Sequence, residues 1–128
     1  INTATITSNK YSINQTKKII YVEPSTDIST FENNLSQSNA ILYNNNKVTS
    51  GLVKTGMTTN NYLIIVKGDV TSDGYVKMND VMKISEYIVE EKGLNDTEKH
   101  AADVTSDNNI KMNDVMKISE YIVEGGNL

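Results

Sequence analysis

The chain contains no cysteine, no tryptophan and no arginine, and a single proline and a single histidine in its 128 residues. Without cysteine there are no disulfides, no thiol catalysis and no Cys-ligated zinc. No Ser–His–Asp set, no Cys nucleophile and no phosphate-binding loop can be assembled, so an enzyme is not expected. No apolar run reaches the ~18 residues that would cross a bilayer, and membrane insertion is not expected either. Every cation is a lysine and asparagine is abundant, which reads as nucleotide bias rather than function. The chain opens at Ile1 without a basic-then-apolar leader, as a fragment of a longer precursor would. Its length allows one domain or two small ones, each with a modest core.

The charge is uneven. Residues 1–66 carry 5 Lys against 3 acids, and residues 67–128 carry 7 Lys against 13 acids. A half that acidic argues against nucleic acid, which needs a basic stripe. Six of the 13 acids belong to a repeat. Asp69-Val-Thr-Ser-Asp73-Gly74-Tyr-Val-Lys-Met-Asn-Asp80 returns as Asp103-Val-Thr-Ser-Asp107-Asn108-Asn-Ile-Lys-Met-Asn-Asp114, at a constant offset of 34 residues. Lys77–Glu90 and Lys111–Glu124 are identical. Two copies are too few for a solenoid and suit a paired loop–helix unit, each covering the other's apolar face.

Carboxylates at positions 1, 5 and 12 of a twelve-residue loop have the spacing of a calcium loop. Such a loop wraps a hard cation with side chains at 1, 3 and 5, a carbonyl at 7 and a carboxylate at 12. The candidate ligands are therefore Asp69, Thr71, Asp73, the Tyr75 carbonyl and Asp80, and likewise Asp103, Thr105, Asp107, the Asn109 carbonyl and Asp114, for two Ca2+. Position 6 turns sharply, which Gly74 does freely and Asn108 tolerates. The plainer alternative is an acidic turn capping a helix. Repetition at a constant offset favours calcium. Without metal the carboxylates repel one another, and the repeat region should be less stable.

These residues resemble a type I-like dockerin, the calcium-binding adaptor of cellulosome-type bacterial multi-enzyme complexes. The resemblance runs from Lys67 to about Val123. It rests on the Gly68-Asp69-Val70 lead-in, on Asp rather than Glu at position 12, on a helix directly after each loop, and on Ala101-Ala102-Asp103-Val104. Thr71 and Thr105 stand where the family usually has Asn, as do Lys77 and Lys111 at position 9. Calcium binding weaker than in a consensus member is expected.

Before the repeats, strand-like segments fall at Tyr11–Ile13, Ile19–Val22, Ala40–Tyr43, Leu52–Val53 and Tyr62–Val66, with turns at Asn44–Lys47 and Thr55-Gly56. Pro24 ends the second, and Ile28, Phe31 and Leu35 share one face of a short helix over 28–36. Residues 1–8 show no strong pattern and read as a linker. The expected fold class is α+β: a small antiparallel sheet with one helix over 1–66, then an all-α dockerin over 67–128 with repeats 69–90 and 103–124. The first part resembles the short module found before dockerins in secreted proteins of anaerobic bacteria, and an immunoglobulin-like module without the helix is the alternative. Tyr11, Tyr21, Tyr43, Tyr62 and Phe31 could serve carbohydrate, but they alternate like core residues. The last strand runs into Gly68-Asp69 without a linker, so the first module is expected to brace the second. Asn95-Asp-Thr-Glu98 has capping-box spacing for a short helix to Ala102. His100, the lone histidine, reads as solvated surface. Gly93-Leu94 should close the first repeat helix, and Asn127-Leu128 should fray.

At about 100° per residue, Val81, Ile84 and Ile88 with Tyr87 make a core stripe, while Lys83, Glu86, Glu90 and Asn79 make a polar back. Between them lie Met78, Met82, Ser85 and Val89. The second copy splits alike, with Val115, Ile118, Tyr121 and Ile122 inward and Met112, Met116, Ser119 and Val123 on the extra stripe. That stripe is either more core, docked on residues 1–66, or a partner surface. Methionine suits the latter, and one module cannot cover both copies in the same way. The resemblance implies a cohesin module as partner, met by Met78, Asn79, Met82, Ser85, Glu86 and Val89 and by Met112, Asn113, Met116, Ser119, Glu120 and Val123. It also implies binding in two orientations about 180° apart. The expectation is a non-catalytic, calcium-dependent adaptor, monomeric when free, secreted or on the cell surface. A calcium-rigidified spacer without a partner and a carbohydrate-binding accessory module are the alternatives.

Overall fold

The computed structural model describes residues 5–37 and 39–128. Strands β1 (Ser12–Asn14), β2 (Ile19–Val22), β3 (Ile41–Tyr43), β4 (Asn46–Val48), β5 (Thr58–Thr59) and β6 (Tyr62–Val66) form one sheet in the order β1-β2-β6-β5-β3-β4. Helix α1 (Ile28–Asn33) follows β2, and α2 (Met78–Glu90), α3 (Asp96–Ala102) and α4 (Met112–Glu124) follow β6.

The sheet is mixed rather than antiparallel, because β2 and β6 pair in parallel with Ile19 opposite Leu63 and Val22 opposite Val66. Parallel neighbours need a long crossover, and residues 23–61, with α1 and the β3–β4 hairpin, supply it. These two central strands are apolar throughout since both faces of the sheet are covered. Ile20, Val22, Tyr62, Ile64 and Val66 meet Ile28 and Phe31 of α1 in one core. Ile19 and Ile65 point the other way, into a second core with Val70, Val81, Ile84, Ala101, Ala102, Val115 and Ile118. The sheet is thus the middle layer between α1 and the three later helices, of which α3 lies directly against β6 and α2 and α4 pack on each other.

Several local expectations change. Residues 1–4 lie outside the described part, but residues 5–8 are not a linker: Ile6 is fully buried, its N–H donates to the Tyr62 hydroxyl, and the Gln15 amide donates to its carbonyl. Helix α1 stops at Asn33 instead of reaching 36, since the Ser36 N–H turns away to the Thr7 carbonyl. The turn after β3 is confined to Asn44-Asn45, both at positive φ, and Asn46 and Lys47 already belong to β4. Leu52 makes only an isolated bridge to Asp27, whereas Thr58–Thr59 form a strand that carried no clear signal. The first repeat helix is closed by Glu91 in the left-handed conformation, ahead of Gly93. His100 is half-buried rather than freely solvated. Leu128 does not fray: its side chain is buried, its N–H donates to Glu23 Oε1, and Lys67 bridges Glu23 to its carbonyl. Tyr11, Phe31 and Tyr62 are buried, with the rings of Tyr11 and Phe31 at 5.3 Å. The presence of α1 removes the immunoglobulin-like alternative.

Candidate functional site

Each repeat folds its twelve-residue loop around its own last carboxylate. Oδ1 of Asp80 accepts the Val70 N–H, the Thr71 N–H and the Thr71 hydroxyl, and Oδ2 accepts the Lys77 N–H that opens α2. Asp114 does the same for Thr105 and Lys111 at the start of α4. At the other end, Asp69 accepts the N–H groups of Asp73 and Gly74, and Asp103 those of Asp107 and Asn108. Ser72 and Gly74, and Ser106 and Asn108, hold the positive φ values that let the loop curl.

The outcome is two clusters of carboxylates. Asp69, Asp73 and Asp80 each place an oxygen within 4.8 Å of the others, and Asp103, Asp107 and Asp114 repeat the arrangement. Thr71 and Thr105 sit against these clusters through their bonds to Asp80 and Asp114. Tyr75 and Asn109 occupy the seventh position, with their N–H groups on Asp73 and Asp107.

Asp69, Asp80 and Asp114 are fully buried, and none of the ion pairs among the described residues involves a loop aspartate. Burial pushes Asp69 up to about 6 against the pull of the Gly74, Asp73 and Thr55 N–H groups, with the Asp80 charge adding to the rise. Asp80 is also raised, chiefly by burial. Exposed Asp107 is lowered instead, first by the Asn109 N–H. Gathered, buried carboxylates without a cation are costly unless paired or coordinating a metal. An all-oxygen donor set suits a hard divalent ion of the calcium type rather than a thiophilic one. The residues fit the ion.

On the helices, Val81 and Ile84, and Val115 and Ile118, face the core. The extra stripe does not. Met78, Met82 and Val89 are 55, 67 and 82% exposed, and Met112, Met116 and Val123 are 54, 67 and 83% exposed. Asn79, Glu86, Asn113 and Glu120 are exposed beside them, and Ser85 and Ser119 are half-exposed. The possibility that this stripe is additional core, or docks on residues 1–66, is therefore set aside.

The family model of the dockerin type I domain matches residues 67–123. That stretch is a dockerin. Dockerin domains are non-catalytic, bind calcium and bind cohesin modules, and the paired acidic loops accord with the calcium. No curated protein matches the chain. No helix among the described residues is long and apolar enough to cross a membrane.

Within the dockerin, the Lys77 ammonium lies 4.7 Å from the centroid of the exposed Tyr75 ring, a cation–π contact. Three groups that hold the loops were not singled out from sequence. Lys83, assigned only to the polar back of its helix, and its counterpart Lys117 reach back to the Val70 and Val104 carbonyls at 3.3 Å. Their shared place in the two copies was the available signal. The third, the Thr55 N–H that donates to Asp69, comes from outside the repeats and left none.

Proposed function

We propose that this chain is a calcium-dependent adaptor that docks on a cohesin module and so anchors its parent protein in an extracellular multi-protein complex. The division into a β-rich accessory module, 1–66, and a dockerin, 67–128, belongs to the same reading. The candidate ligands are Asp69, Thr71, Asp73, the Tyr75 carbonyl and Asp80 in one loop, with Asp103, Thr105, Asp107, the Asn109 carbonyl and Asp114 in the other. Bound calcium supplies positive charge where the buried carboxylates converge. The chain's own part is to hold each loop closed through the last aspartate, which fixes the start of α2 or α4 and hence the direction of its exposed face.

The observation that carries the reading is the pairwise match of exposure along α2 and α4. Two helices of identical sequence offer the same apolar stripe to solvent, at Met78, Met82 and Val89 and at Met112, Met116 and Val123. Solvent-facing methionines rimmed by polar residues suit an adaptable recognition surface. A partner reading one copy can read the other after the molecule turns by about half a revolution, so the chain docks in two orientations.

Calorimetry against a panel of cohesins tests this with Met82→Asp, Met116→Asp and the double variant. Each single change should weaken binding only mildly, because the alternative orientation survives, and the double change should abolish it. One single change that abolishes binding rules out the two orientations. Failure of the unmodified chain to bind any cohesin leaves a calcium-rigidified spacer.

A further inference from the structure

The two loops have nearly the same sequence and the same internal hydrogen bonds, but different surroundings. Loop 103–114 faces solvent: Asp107, Asn108 and Asn109 are exposed and Asp103 is only half-buried. Loop 69–80 is covered by the end of the sheet module. The Thr55 N–H donates to Asp69 Oδ2 at 3.2 Å, and the Ser25 N–H donates to the Gly74 carbonyl at 3.0 Å. Gly74 is buried against the segment that precedes Thr55. A Cβ there would stand 2.8 Å from Leu52 Cβ and 2.9 Å from the Val53 carbonyl oxygen. Thr55 is itself fully buried and is fixed by two bonds between its hydroxyl and the backbone of Val66, three residues before Asp69.

We infer that Leu52–Thr55 forms the outer wall of the first calcium loop and makes the two sites unequal, so that loop 69–80 keeps its ion and loop 103–114 empties first. This rests on the calcium reading given under Proposed function. The physical cause is preorganisation. Asp69 is held by an N–H from a rigid element outside the loop, and the covered side of the loop cannot open to water without parting from Leu52 and Val53. Loop 103–114 opens at no such cost. A hydrogen bond to a charged group, lost on opening, corresponds to a factor of about ten or more in rate.

The test uses the full chain, loaded with calcium and mixed rapidly with excess fluorescent chelator. Two release phases of equal amplitude are expected, the slower by about tenfold or more. Asp107→Ala should remove the fast phase and leave the slow one, which assigns the fast phase to loop 103–114. Leu52→Ala, which thins the wall without touching the loop, should speed the slow phase towards the fast one. Gly74→Asn, which gives the first loop the residue of the second, should do the same. Asn108→Gly should leave the fast phase fast, which separates the wall from the loop's own sequence. One phase carrying both ions, a slow phase lost in Asp107→Ala, or a slow phase unmoved by Leu52→Ala would overturn the inference. Absence of any bound calcium would instead overturn the reading beneath it.

Discussion

Thr71 gives Asp80 both of its donors, the backbone N–H at 3.1 Å and the hydroxyl at 2.9 Å, and both end on the same oxygen. Asp80, itself fully buried, thereby ties the third residue of its loop to the first turn of α2. Asp80→Ala strands these donors together with the Val70 and Lys77 N–H groups. At roughly 1–3 kcal/mol for each unmade buried bond, the loss should exceed about 3 kcal/mol. Thr71→Val removes a single donor to the carboxylate and should cost less, about 1.5–3 kcal/mol. Urea denaturation of both variants under chelator reads this order. Equal, small losses would show that the closure does not depend on Asp80.

Chelation should destabilise the chain and act on the helices first. Anything that binds only the folded form stabilises it by mass action, and removing it leaves Asp69, Asp73 and Asp80 converging without a cation. The expected result is a melting temperature that falls on adding chelator and returns on adding calcium. Amide signals of residues 67–124 should broaden. An unchanged melting curve and spectrum would remove calcium from the account.

Ile65 lies on the face of β6 that packs against the helical core, and Ile64 on the face that packs against α1. Truncating either to alanine should cost about 2–5 kcal/mol, the range for large-to-small changes in a core. Because one strand serves both cores, both variants should still unfold in a single transition by near- and far-ultraviolet circular dichroism. Two separated transitions would show that the strand does not couple them.

The link before the second loop is held by a reciprocal cap. Asn95 Oδ1 accepts the Glu98 N–H at 2.8 Å, and Glu98 Oε1 accepts the Asn95 N–H at 3.0 Å. Glu98 also pairs with Lys83 at 3.0 Å, joining this short helix to α2. Asn95→Ala should lower stability by about 1 kcal/mol, measured by chemical denaturation. No loss would mean that packing of Ala101 and Ala102 alone orders α3.

The repeats were legible because everything that defines them is local. Loop spacing, the capping box at Asn95 and the stripes of α2 and α4 each lie within a few turns of sequence. Strands β2 and β6 were legible as apolar runs for the same reason. Their parallel pairing was not, since it depends on where residues 23–61 carry the chain. The fates of Ile6 and Leu128 were hidden in the same way: Ile6 bonds Tyr62, 56 residues on, and Leu128 bonds Glu23, 105 residues back. Both look like loose ends until the partner is known. Thr55 read as part of a turn and nothing more, because its bond to Asp69 comes from a backbone N–H that any residue but proline possesses, and its hydroxyl finds its partner, Val66, only in the folded chain.

Between 69–90 and 103–124 the copies differ only at three adjacent places, Gly74-Tyr75-Val76 against Asn108-Asn109-Ile110. Gly74 abuts Leu52 and Val53, and Val76 lies where a Cβ on Gly68 would touch it at 3.2 Å, whereas Asn108 and Asn109 are exposed. Of the three differences only the first coincides with a change of surroundings, Gly74 being covered and Asn108 open, for Tyr75 is exposed like Asn109 and Ile110 packs on the helical core as Val76 does. Mutational tolerance should be lopsided there: position 108, at positive φ but open to solvent, should accept Gly, Asn or Asp, and position 74 glycine alone, although both began as the same turn.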